Sequence, residues 1–522
     1  MRPAARVDPA GFGRTWSDLA GLGGPRVDPD GGAGSGVPER SGAGSGPVTR
    51  ASSGEAGRVR TLEPAARSER RRLRRTQIRA AASAVRRTAA RPLPRLVRGA
   101  LRRRCEWRSA QPPRLHSQPM AAEPNLPPHL ERPHVRQFQP LPLQKDGQTF
   151  AGLRDPSLIG PQMLIVHPTL LQVVARFRGQ ETLADIGKGL GIEQENLLEL
   201  VRRMDEVGLL WGPTFERLEA QAMQRIRDAG AFPPTVSVSV GNDRTSCETR
   251  LEGLLSEAED PELGAPLLGI VAPHLDLDRG GPVYAAAYVA ARGLKPDRVV
   301  ILGTNHFGTG DGVVMSQLGF DTPMGRVRPD SPVIADLERR LGDRLFKDEL
   351  DHLGEHSLQL HLPWVQHLFG DVPVVAALVP DPNIPMIAED GARVAPREFA
   401  AALGESLGAA GGSTFFVGSS DLSHVGPQFG DAKPVDEARQ DDVERHDREY
   451  LSVFCQGSGA AFAAHLRSHG NPTRWCSVGN MFALLEAARP AGVELIEYRQ
   501  QIDPKRLGLV SCAAIALTGR DG

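Results

Sequence analysis

Residues 267–306 read LLGIVAPHLDLDRGGPVYAAAYVAARGLKPDRVVILGTNH. Two short apolar runs, LLGIVAP (267–273) and DRVVILGT (297–304), flank a helical pattern over 282–292, and each is followed at once by a histidine, His274 and His306. Runs of this length, rich in Val, Ile and Leu and bounded by Gly, Pro or Asp, read as strands. The pattern continues along the chain. PVVAALVP (373–380), STFFVGSS (413–420), VELIEYRQ (493–500) and LVSCAAIAL (509–517) supply four more strands, and helices are expected over 331–342, 357–369, 396–408, 433–454 and 477–488. Strands alternating with helices predict an α/β domain over 235–519, a central sheet flanked by helices.

Upstream, the composition changes twice. Residues 1–119 hold 25 Arg, no Lys and nine acidic residues, a net +16 in a chain whose total is −1. Runs such as GGAGSGVPERSGAGSG offer too little apolar surface to offset the entropy of ordering, so this extension is expected to be disordered. Met120 opens MAAEPNLPPHLERPHVRQFQPL, which reads like a natural amino terminus, so 1–119 is expected to be a solvated tail or even an extension from a misplaced start. Between about 150 and 230 apolar residues recur at helical spacing in HPTLLQVVARF, TLADIGKGLG and EQENLLELVRRMDEVGLLW. Residues 120–234 are therefore expected to form a small, mostly helical module with the helix, turn, helix rhythm of a winged helix. Its second helix is acidic on balance, which disfavours phosphate contacts and makes nucleic acid a poor partner; peptide binding or domain docking fits better.

The 522-residue chain exceeds what one core usually serves. Its five cysteines have no paired spacing, which argues against a disulfide framework and for a reducing compartment. No run approaches the ~18 apolar residues of a membrane span, and the amino terminus lacks a signal-peptide core. A cytoplasmic protein with no membrane partner is expected.

Chemistry-bearing residues collect at the ends of the expected strands, where open α/β sheets gather ligand groups. His274, His306 and, in Ser419-Ser420-Asp421-Leu422-Ser423-His424, a third histidine follow three of them. Cys476 sits in a polar turn just before a helix whose amino terminus favours a thiolate. Imidazoles and a thiolate meeting in one pocket would suit Fe(II), copper or zinc. Glu355, His356 and Ser357 open a helix; they would either cap it or bring Glu355 and His356 to the pocket as orienting or proton-transfer groups. Asp421 would accept a hydrogen bond from a ligand histidine or simply end a strand. The glycines of Asp278-Arg279-Gly280-Gly281-Pro282 match no phosphate-binding motif and are expected to make a tight turn before a helix.

Six blocks, APHLDLDRGGPVYAAAY (272–288), VVILGTNH (299–306), FDTPMG (320–325), EHSLQLHLP (355–363), SSDLSHVG (419–426) and RWCSVGNMFALL (474–485), together resemble the Memo family, also called AmmeMemoRadiSam system protein B. The resemblance covers roughly 235–519. It implies a fold similar to the catalytic subunit of class III extradiol dioxygenases, with His274, His306 and Cys476 at metal-ligand positions and His424 as a further pocket histidine. A thiol then stands where the dioxygenases use a carboxylate, which disfavours ordinary ring cleavage. Ser239-Val240-Gly241-Asn242-Asp243 lacks the aromatic pair that usually borders the Memo pocket, implying a different pocket shape. Radical-SAM and AMMECR-type partners are implied by the resemblance alone. Two functions follow. One is a metal-dependent redox enzyme, Fe(II) foremost, with His424 as acid or base on a small substrate. The other is a non-catalytic binding or scaffold protein, of a radical-SAM-associated system, that holds a metal, a small molecule or a peptide.

Overall fold

Alternation along the strands fixes the central sheet. In β5 (Leu267–Ala272), β6 (Arg298–Gly303), β10 (Val374–Leu378) and β11 (Thr414–Ser419), successive side chains enter opposite cores. Ile270, Val299, Ile301, Val374, Ala376, Phe415 and Val417 face one core; Val271, Val300, Leu302, Val375, Ala377 and Phe416 face the other. That two-residue period is the pleat itself, and both faces are apolar because both are covered. The computed structural model describes residues 126–145, 147–160, 162–308, 312–383 and 391–520. The expectations for residues 1–119 and for Met120 lie outside them.

The first core is closed by the helices Arg244–Glu257, Leu277–Tyr288 and Leu362–Phe369. The second is closed by Ser331–Leu341, Pro396–Ala410, Glu437–Phe454, Gly459–His469 and Val478–Ala488. Full burial of one such Leu, Ile or Phe side chain is worth about 1.5–3 kcal/mol, so these faces dominate the fold.

β5, β11, β6 and β10 lie side by side in parallel. The short β7 (Val314–Met315) closes one edge, antiparallel to β10. At the other side β14 (Leu509–Thr518) runs antiparallel to β5 and is paired along its outer edge by β13 (Gly492–Ile502). The sheet has eight strands, because β12 (Asp421–Val425) pairs with the first half of β14 where β5 leaves off. The chain therefore jogs at Ser420, whose amide bonds to the Ala272 carbonyl at 2.8 Å, and re-enters the sheet in line with β5.

Three readings are corrected here. His424 does not follow a strand end but lies within β12, since the polar residues that suggested an ending are buried and paired. The helix expected at 282–292 begins at Leu277, with Asp276 accepting from the Arg279 amide. Gly280 and Gly281 are inside its first turns; a Cβ on Gly281 would meet Leu254 at 2.9 Å, so the glycine serves close helix packing. Third, the region around 150–166 is not helical: β1 (Gln139–Lys145), β2 (Gln148–Arg154) and β3 (Leu164–Val166) form an antiparallel sheet. Pro140 and Pro142 are tolerated because β1 is its edge strand.

The helices Leu183–Leu190, Gln194–Glu206 and Pro213–Ala229 follow. β4 (Ala231–Phe232) then joins β8 (Gly319–Thr322) and β9 (Gly325–Val327) in a second small sheet. Apart from Lys188–Ile192, all described residues belong to one compact unit. No helix among them is long and apolar enough to cross a membrane.

Candidate metal centre

The register of the parallel strands brings their carboxyl ends level. Ser419 pairs with Ala272, and Gly418 with both Val271 and Leu302, so His274 and His306 emerge beside each other. Their rings meet edge to face with centroids 4.9 Å apart. Cys476 arrives from the second core, just before the helix Val478–Ala488. That helix starts against the end of β10, and only glycine fits at 479: a Cβ there would lie 2.1 Å from the Pro380 carbonyl oxygen. Cys476 Sγ stands 3.4 Å from His274 Nε2, and His274, His306 and Cys476 offer three ligand atoms within 4.8 Å of one another.

Each imidazole is held from behind. His274 Nδ1 donates to the Ser419 carbonyl at 3.1 Å, and its backbone amide donates to Asp421 Oδ1 at 2.9 Å. His306 Nδ1 donates to Glu355 Oε1 at 3.0 Å, and its amide to Glu355 Oε2 at 2.7 Å. Glu355 also accepts from the amides of His356 and Ser357. The helix expected from 357 begins only at Leu362, after a turn over 357–361, so Glu355 caps no helix and its carboxylate holds that turn while orienting His306. Below it, Ser357 Oγ donates to the Thr304 carbonyl, and Asn480 Nδ2 donates to Thr304 Oγ1 and the Ser419 carbonyl. These bonds tie the ends of β6 and β11 to the turn at 355–361 and to the helix Val478–Ala488. Ring orientation fixed in this way directs the Nε2 atoms forward.

Electrostatics separates the two histidines. Burial and the neighbouring His306 and His356 push His274 well below the ordinary histidine range. Burial also opposes charge on His306, but the Glu355 carboxylate and the Cys476 thiol outweigh it and raise that imidazole well above its usual value. Glu355, despite burial, is drawn below the usual carboxylate range by His306 and His356. Burial lifts the Cys476 thiol, with His306 opposing.

Residues 240–516 match the family model described as Memo-like protein. The chain belongs to the Memo family. It is similar to a MEMO1 family protein of Aquifex aeolicus, 26% identical over 377 residues that cover 70% of this chain and 94% of that one. A Thermus thermophilus relative is 27% identical over 330 residues, 63% of this chain and 95% of its own. One from Methanococcoides burtonii is 31% identical over 274 residues, 52% and 90% respectively. The central sheet, from β5 to β14, lies almost wholly within residues 240–516 of the family match.

Within the Memo domain, His274, His306, Cys476, Glu355, His356 and Asp421 come together. His356 stacks on His306 at 4.9 Å and, with Asp421 and His274, lines a cavity beside the ligand group. His424 donates from Nδ1 to the Leu422 carbonyl at 3.0 Å, packs its ring edge-on against Phe429, and is among the neighbours whose charge lowers His274. Ser239, in the stretch lacking the aromatic pair, lines the cavity and accepts from the Leu277 amide. Two contributions escaped sequence reasoning. Asp447, fully buried, accepts from Ser423 Oγ, Ser511 Oγ, Trp475 Nε1 and Tyr498 OH, clamping the residues beside Cys476 and His424. The other is a cavity wall from upstream of the Memo domain, Arg154, Pro156 and Leu158.

Proposed function

We propose that this Memo-family chain binds Fe(II), with copper or zinc as the other candidates, through His274, His306 and Cys476, and acts as a metal-dependent redox enzyme on a small substrate. The observation that carries the reading is the donor set: two imidazoles with anchored Nδ1 atoms and one thiol, all ligand atoms within 4.8 Å. This chemistry fits a first-row transition metal and not Mg²⁺ or Ca²⁺, which prefer oxygen donors. Bound there, such an ion would supply Lewis-acid polarisation and, for iron or copper, one-electron chemistry. The chain's part is to surrender protons from His306 and Cys476 on loading, which makes affinity rise with pH. Glu355 would keep the His306 ring in position while it does so, and His356 would move protons at the cavity edge. The thiolate departs from the carboxylate of extradiol dioxygenases, whose fold the domain resembles in the proposal, and directs the reaction away from ordinary ring cleavage. A cavity open beside the ligands favours turnover over a purely structural or scaffold site. The test is iron, copper and zinc per chain in protein purified anaerobically, as wild type and Cys476→Ala. Near-stoichiometric metal lost in the variant is expected; a metal-free wild type that does not take up Fe(II), copper or zinc on addition would overturn the reading.

A further inference from the structure

The cavity is built from two parts of the chain. His274, His356 and Asp421 form its inner side; Arg154, Pro156 and Leu158, at and after the end of β2, form its outer side. Its volume is about 90 Å³. Small-molecule sites commonly reach ~300–1,000 Å³, so this one takes a single compact group.

The outer wall is rigid. Asp155 is fully buried and accepts from the Ser157 amide at 3.0 Å, Ser157 Oγ at 2.6 Å, the Gly160 amide at 2.8 Å and Arg136 Nη1 at 3.1 Å. The Arg136 guanidinium also donates to the Gly208 carbonyl and lies 3.6 Å over the Phe215 ring. Pro156 seats directly on Gly354, where a Cβ would come within 2.4 Å of its carbonyl oxygen. Gly354 precedes Glu355, so the wall rests on the same turn that orients His306.

The lining carries two arginines, Arg154 and Arg279, and two aspartates, Asp276 and Asp421, and they are not equally engaged. Arg279 Nε is committed to Asp276 Oδ2 at 2.6 Å, and Asp421 receives the His274 amide. Arg154, half-buried at the cavity, makes no side-chain hydrogen bond or ion pair among the described residues. A guanidinium so placed is a fork for a carboxylate, which it can bind with two parallel hydrogen bonds. We propose that the ligand of this site is a small organic carboxylate, its carboxylate on Arg154 and its other end facing His274 and His356. A phosphate, with more charge and more acceptors to satisfy, would call for further donors than this wall offers. Only the part played by the far end rests on the metal-enzyme reading; the anion contact does not.

The experiment is calorimetric titration of the full chain with benzoate, acetate, inorganic phosphate and benzyl alcohol, a neutral counterpart of benzoate. Benzoate is expected to bind at least about tenfold more tightly than benzyl alcohol, as a charge-assisted hydrogen bond implies. Arg154→Met should remove that advantage, Arg154→Lys should restore part of it, and Arg339→Met, at an exposed arginine outside the cavity lining, should keep it, with thermal midpoints confirming that each variant folds; Arg154→Gln substitutes if the methionine variant does not. Equal binding of benzoate and benzyl alcohol, no binding of either carboxylate, benzoate binding unchanged in Arg154→Met, or phosphate binding tighter than both carboxylates would each overturn the proposal. Metal content measured on the same samples separates the two readings. Arg154-dependent binding in a chain that takes no metal sinks the metal reading alone; stoichiometric metal with Arg154-independent binding sinks the carboxylate alone.

Discussion

Among the described residues three groups of side chains bring three ligand atoms within 4.8 Å of one another; two that share no residue, one interior and one on the surface, differ in almost everything else. In the interior, His274, His306 and Cys476 converge, and both rings are fixed from behind by Ser419 and Glu355. On the surface, His465 and His469, four residues apart on one helix, face Glu449 of another. His465 Nε2 lies 3.5 Å from Glu449, and the two rings stack at 4.2 Å. Glu449 is 48% exposed, and His469 bonds only to its own helix, at Ser468 and the His465 carbonyl. Proximity is thus shared by both groups, whereas orientation by outer partners belongs to the interior one. Such partners commonly account for ten- to hundredfold in metal affinity.

Interior and exposed histidines should separate most widely in acid. Burial lowers His352 to about 4 and His361 to about 3. The unfolded chain protonates both near the ordinary histidine value, so between there and those lowered values the unfolded state binds more protons. Stability is therefore intact above about pH 6.5 and falls as pH drops through that window, by roughly 3–5 kcal/mol per group when complete. Urea midpoints at pH 7.5 and pH 4.5 measure it. His352→Phe, a ring that suits the contacts with Phe232 and Phe320, should remove that residue's share; an unchanged acid sensitivity would contradict the buried neutral histidine.

Next in size is Glu355→Gln, which leaves a hydrogen-bond acceptor for His306 but removes the charge. Competition with a chelator should show metal affinity lowered about ten- to hundredfold, against no change if the outer bond were incidental. The smallest effect is expected at the surface. His465→Ala should leave metal per chain unchanged and shift stability by no more than about 0.5 kcal/mol. A loss of metal comparable with that in Cys476→Ala would erase the distinction between the groups.

Much of this arrangement was legible in the sequence because burial on both faces writes strands as continuous apolar runs. β5, β6, β10, β11 and β14 appear that way, β13 is legible instead from its Val, Ile and Tyr, and His274 and His306 follow from where two of the apolar runs stop. Elements lacking such runs were missed. β12 is polar in sequence, and only tertiary partners such as Asp447 and Ser511 make DLSHV a buried strand. β1 carries two prolines. The helix Arg244–Glu257 did leave a signal, the Asp243 and Ser246 capping box, which went unread. Arg154 and Pro156 left none. Their place at the cavity depends on the register of β2 and on the bare backbone of Gly354, a contact across some two hundred residues of sequence that no local pattern encodes.

The most direct test of the central claim is X-ray absorption at the metal edge of the iron-loaded full chain. One sulfur neighbour at about 2.3 Å among nitrogen and oxygen neighbours at about 2.0–2.2 Å, with the sulfur lost in Cys476→Ser, is the predicted result. A wild-type spectrum with no sulfur neighbour, or a sulfur that survives the substitution, would contradict a centre built from His274, His306 and Cys476.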